Sequence, residues 1–92
     1  MMQVDENVVF VGGKPVPAYT AAVFALFAQG YDEVELKARG KNVYNAIRVA
    51  LAVKDKLGNA DVSQIEIDEE EYEDQKGRKR KVPTITIKVV KT

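Results

Sequence analysis

The chain has 92 residues, enough for one small domain (1–92) that buries roughly 60–65% of its unfolded surface. Fourteen Lys and Arg balance fourteen Asp and Glu, and cysteine and histidine are both absent. That excludes a disulfide framework, a thiol nucleophile and a Cys/His zinc site, and it removes the side chain best suited to proton transfer near neutral pH, so neither an enzyme nor a cofactor is expected.

The opening MMQVDENVVF lacks a cationic start followed by an apolar run, so no signal peptide is expected. NVVFV (7–11) is β-branched and aromatic, ends at Gly12-Gly13 and reads as a buried strand. Pro17 suits a first helical position, and AYTAAVFALFAQ continues to a stop at Gly30. No charge falls between Pro15 and Tyr31, but prolines, Gln29 and Gly30 make that stretch a poor membrane span. A soluble intracellular protein is the expectation. A helix without charge on any face needs cover on several sides, so Val23, Phe24 and Phe27 are expected to meet a second subunit or the second helix.

Asp32 to Ala38 alternates, with Val34, Leu36 and Ala38 on one face and Glu33, Glu35 and Lys37 on the other, as a half-buried strand does. Asn42 reads as the N-cap of a second helix whose apolar positions are Val43, Ala46, Ile47, Ala50, Leu51 and Leu57, closed by Gly58. Ile65/Ile67 and Ile85/Ile87/Val89 mark two further strands joined by a polar hairpin arm at 66–83. The order β-α-β-α-β-β predicts an α/β two-layer sandwich, two helices on a mixed four-stranded sheet with the last hairpin protruding.

Charge is unevenly distributed. Seven of the nine residues from Glu66 to Asp74 are acidic, and five of the six from Lys76 to Lys81 are basic. The acids alternate across a strand and so diverge, which reads as solvated charge with cross-strand pairing and not as a metal site. Pairing about Lys76-Gly77 would set Asp74 against Lys79 and Glu73 against Arg80, neutralising part of the basic run. KARGKN (37–42) joins the second strand to the second helix. Lys37 and Arg39 lie on the polar face, Gly40 permits a tight turn, and Lys41-Asn42 stand at a helix start that favours an anion. Phosphate contact and a plain solvated turn are both open for this segment. VGGKPVP lacks the spacing of a nucleotide-hydrolase loop, but parallel first and second strands would bring Lys14 to the same sheet edge as Arg39 and Lys41.

NVVFVGGKPV (7–16), Gln29-Gly30, DEVELKARGK (32–41) and GRKRKVPTITI (77–87), in this order, resemble the archaeal chromatin family Alba (also called Sac10b) over nearly the whole chain. The resemblance implies a fold similar to the C-terminal domain of translation initiation factor three. It also implies a dimer that binds double-stranded DNA with little sequence preference, phosphates held by the body loops and two hairpin arms reaching toward the minor groove. Lys14 then matches the second lysine of the family's first loop, Arg39 and Lys41 the basic residues flanking the loop glycine Gly40, and Arg78, Lys79, Arg80 and Lys81 the arm. Gly13 stands where the family loop often has a lysine that can be acetylated, which leaves Lys14 as the remaining candidate for an acetylase or deacetylase. Leu57 stands where some members place a phenylalanine for dimer–dimer contact. The implied location is the chromosome or nucleoid in the cytoplasm. RNA binding is the alternative, with Tyr44 and Tyr72 available for stacking. The zero net charge motivates another, a heterodimer with a more basic paralogue.

Overall fold

The computed structural model describes residues 7–92, and the first six residues, on which the signal-peptide expectation partly falls, lie outside the described residues. The elements run β1 (Val8–Phe10), α1 (Val16–Ala28), β2 (Glu33–Arg39), a single 3-10 turn (Gly40–Asn42), α2 (Val43–Leu57), β3 (Ala60–Glu73) and β4 (Lys79–Lys91). The sheet order is β1-β2-β4-β3, with β1 parallel to β2 and the other neighbours antiparallel. Parallel β1 and β2 require a crossover, which α1 supplies. No described helix is long and apolar enough to cross a membrane.

Alternation in β2 works as the sequence predicts. Val34, Leu36 and Ala38 point into the core with Val9 and Val11 of the β1 segment and Ile85, Ile87 and Val89 of β4. Both helices cover this one face. The charge-free α1 buries Val23 and Phe27 and packs against α2, so cover from within the chain accounts for these two, and Phe24 is half-buried beside them.

The buried stripe of α2 is Ala46, Val49, Ala50 and Val53, at i, i+3, i+4 and i+7. Ile47 and Leu51, expected in the core, lie about 100° farther round the helix and are exposed, Leu51 by 57%. Asn42 is helical and makes no side-chain cap bond, because the 3-10 turn starts earlier, after an extended Arg39. Gly58 closes α2 in the left-handed region at φ 70°.

A bulge between Val62 and Gln64 resets the phase of β3. Val62 faces Val89, and three residues later Ile65 faces Ile87 and Ile67 faces Ile85, all on the helix side of the sheet. One extra residue is what allows a three-residue spacing to keep one face. β3 is an edge strand, and Ile67 there remains 79% exposed. Beyond this point β3 and β4 continue as the arm. Its register is one residue from the expected one, with Glu73 opposite Lys79, Tyr72 opposite Arg80 and Glu71 opposite Lys81.

Candidate nucleic-acid interface

Because β1 and β2 are parallel, the β1–α1 loop and the β2–α2 corner open on the same edge of the sheet. The loop is pinned from two sides. The Gly12 and Lys14 N–H groups donate to the Tyr19 phenol oxygen of α1 at 2.9 and 3.1 Å. From α2, Asn45 Nδ2 donates to the Gly12 and Lys14 carbonyls at 2.8 and 3.2 Å. Four hydrogen bonds therefore hold Gly12-Gly13-Lys14 in one conformation, so the loop loses little entropy when a ligand arrives.

The groove on this edge is lined by Lys14, Lys41, Asn42, Tyr44, Asn45 and Arg48, and the α1 start borders it. Among the described residues no ion pair involves Lys14, Lys41 or Arg48. The Arg48 guanidinium stands 5.9 Å from the Tyr44 ring centroid, within cation–π range, which keeps its fork presented at the surface. Neither α1 nor α2 has an acidic side chain in its first turn. Two helix N-termini and three cations thus converge without a carboxylate among the groove residues, an arrangement suited to phosphate. Pro15 and Pro17 remove N–H groups from α1, and the Val43 N–H that opens α2 already donates to the Gly40 carbonyl, so the side-chain cations carry most of the grip.

Gly40 is required where it stands. Its φ is 60°, and a Cβ there would lie 3.0 Å from Val82 Cγ2 at the root of the arm. This close approach ties the corner to β4.

The other residues read from the sequence lie elsewhere. Lys37 and Arg39 occupy the outer, helix-free face of the sheet, apart from the Lys14–Lys41 groove. Arg39 Nη2 pairs with Glu70 Oε1 of β3 at 3.2 Å, and its guanidinium lies 5.9 Å from the Tyr72 ring centroid. At the tip of the arm, Asp74 Oδ1 accepts from the Lys76 and Arg78 N–H groups at 2.9 Å each, while Oδ2 accepts from Arg78 Nε at 3.2 Å and Arg80 Nε at 3.1 Å. The Arg78 backbone N–H, aided by the Arg80 and Arg78 side chains and the Lys76 N–H, holds the Asp74 carboxyl below its ordinary range against a smaller opposing effect of burial. Asp74 thus ties down two arm cations, while Lys79 and Lys81 make no ion pair among the described residues. Leu57 is half-buried against the core at the end of α2.

Sequence reasoning missed Arg48, Asn45 and Tyr19. A signal for Arg48 was present, since it falls at i+7 from Lys41 and so shares its helical stripe. Among the described residues no three His, Cys, Asp or Glu side chains gather to hold a metal ion.

The Alba family profile matches residues 7–69, which include both basic corners and the start of the arm. The chain belongs to the Alba family. The DNA/RNA-binding protein Alba of Nanoarchaeum equitans is 48% identical over 86 residues, covering 90% of this chain and 96% of that protein. The DNA/RNA-binding protein Alba 1 of Archaeoglobus fulgidus is 42% identical over 73 residues, 78% of this chain and 82% of that one. Among solved structures, Alba from Thermoplasma volcanium superposes with a TM-score of 0.85 at 31% identity, covering 92% of this chain and all of its own. The Alba sandwich and the arm on β3 and β4 are therefore this chain's architecture.

Proposed function

We propose that this Alba chain is a non-enzymatic, architectural protein that binds double-stranded DNA through phosphate contacts and without sequence preference. The observation that carries the reading is the convergence of Lys14, Lys41 and Arg48 with two helix N-termini on a pinned groove. Cations and N–H groups of this kind grip the backbone and carry no sequence information, and Asn45, one of the two amides in the groove, already spends its Nδ2 on the Gly12 and Lys14 carbonyls. Arg39 joins the grip once Glu70 releases it, and the arm adds Lys79 and Lys81. Lys14 is the candidate for control by acetylation, which would remove one of three groove charges.

The protein acts as a dimer. Ile47 and Leu51 of α2 and Ile65 and Ile67 of β3 are exposed large apolar side chains on elements that touch, and a second copy of this chain or a paralogue covers them. Three groove cations per protomer neutralise roughly six phosphates per dimer and contribute about −5 to the slope of log K against log[salt], to which the arm contacts add. A titration of random-sequence duplex DNA at several salt concentrations tests this, and a slope near zero sinks it. RNA is the second reading, favoured by the name DNA/RNA-binding protein that its relatives carry. Competition between duplex DNA and structured RNA of equal length separates the two.

A further inference from the structure

The outer face of the sheet carries a feature that phosphate binding at the helix edge does not use. Phe10 is 75% exposed there, although it lies in a strand of an otherwise ordered sheet. Its register partner is Lys37 of β2, whose partner in turn is Thr86 of β4, and Thr84 stands two residues along β4, opposite Arg39. These five residues and Glu70 line one groove of about 370 Å³, within the size range of small-ligand sites. One wall is an aromatic ring. The floor presents two hydroxyls, and the far side a carboxylate that Arg39 orients at 3.2 Å.

From this geometry we infer that the outer face of the sheet is a second binding site, which takes single-stranded nucleic acid by stacking an unpaired base on Phe10. Stacking on an aromatic side chain over an open four-stranded sheet is a general way to hold unpaired bases, because every base has a π-face. The neighbouring Lys37 makes no ion pair among the described residues and stands beside the ring to receive the phosphate of the stacked nucleotide. Charge across the face gives the strand its orientation. Lys37 and Arg39 stand at the Phe10 end of β2, Glu33 and Glu35 at its other end, while Glu66, Asp68 and Glu70 sit on β3, two strands away. Lys37 is the cation beside the ring that no carboxylate pairs among the described residues, whereas Arg39 already pairs with Glu70 at 3.2 Å, so the backbone runs over Phe10 and Lys37. Base edges then point toward Thr84, Thr86 and Glu70, where hydroxyl and carboxylate oxygens accept from exocyclic amino groups. A duplex has no free base face to offer Phe10, so this site and the helix-edge groove select different ligands.

The test uses fluorescein-labelled octacytidylate, as RNA and as DNA, in anisotropy titrations against wild type, Phe10→Leu and Phe10→Tyr. A duplex titration and sedimentation are run in parallel on each protein. Phe10 is exposed, so both variants should fold. The expected result is octamer binding by wild type, weakening by about 5- to 100-fold in Phe10→Leu, and near wild-type binding in Phe10→Tyr, which keeps a stacking ring. Duplex affinity and sedimentation mass should not change. Stronger binding of the RNA octamer than of the DNA octamer assigns the ligand as RNA, and equal binding makes the site indifferent to the sugar. No octamer binding by wild type, or an unaltered affinity in Phe10→Leu, overturns the inference. Equal loss of octamer and duplex overturns it too, because Phe10 would then belong to the duplex surface. So does a lower sedimentation mass, which would make this face a contact between copies. Failure of duplex binding alone, with octamer binding still dependent on Phe10, would sink the proposed function and leave this site standing.

Discussion

Replacing Glu70 with Gln should make the protein bind duplex DNA more tightly, and the structure sets the size of the gain. In the free protein Arg39 Nη2 lies 3.2 Å from Glu70 Oε1, with the two side chains 58% and 57% exposed. An ion pair so exposed contributes about 0–1 kcal/mol to stability, so Glu70→Gln should cost the fold little. The same energy is what a phosphate must recover before it can engage Arg39. Removing the competitor therefore tightens binding by up to about fivefold per protomer. It also steepens the salt slope by about 1 for each Arg39 that gains a phosphate. Fluorescence anisotropy on a random-sequence duplex at three or more salt concentrations measures both effects. Glu66→Gln is the control, since it removes the same charge from the same strand, and Glu66 pairs with no cation among the described residues. Equal gains from the two variants, or no gain from Glu70→Gln, would refute the idea that Glu70 holds Arg39 in reserve.

Three further outcomes are expected. Tyr19→Phe removes the acceptor for two loop N–H groups without changing any charge; it should lower stability by about 1–3 kcal/mol in urea titrations and weaken duplex binding with little change in salt slope. Because contacts lower the Asp74 carboxyl in the folded arm, its stabilising contribution is present above the unfolded value near pH 4 and is lost as pH falls through the lowered folded value. The Arg78 amide resonance, followed by NMR, should report that loss in wild type and not in Asp74→Asn. Leu51→Lys puts a charge on the exposed apolar face of α2 and should shift sedimentation toward monomer while leaving the circular dichroism of the fold intact.

Local chemistry made much of this fold readable. Alternation in β2, the charge-free α1 and the left-handed Gly58 each follow from one segment's own residues, and the structure has them where the sequence reading set them. Segments governed by distant partners were less legible. The exposure of Ile47 and Leu51 depends on which stripe of α2 meets the sheet, and both true and expected stripes have helical spacing. A bulge beside Ser63 and a one-residue shift in the arm leave no local mark, yet they decide which acids face which cations. For the candidate site, KARGKN is one basic segment in the sequence, whereas strand alternation divides it. Lys41 and Asn42 go to the groove, Lys37 and Arg39 to the outer face. The role of Asn45 depends on contact with a loop 31 residues or more away in sequence, which no pattern within one helix announces.

The salt dependence of duplex binding, for wild type and for Lys41→Ala/Arg48→Ala, decides whether the helix-edge groove holds duplex DNA. Both residues are on the groove rim and neither belongs to the buried core, so the variant should fold. The double substitution removes two of three groove cations from each protomer, or roughly four phosphate contacts per dimer. Binding should weaken, and the slope of log K against log[salt] should flatten by about 3–4. A slope unchanged from wild type would mean that the helix-edge groove is not where this protein holds duplex DNA.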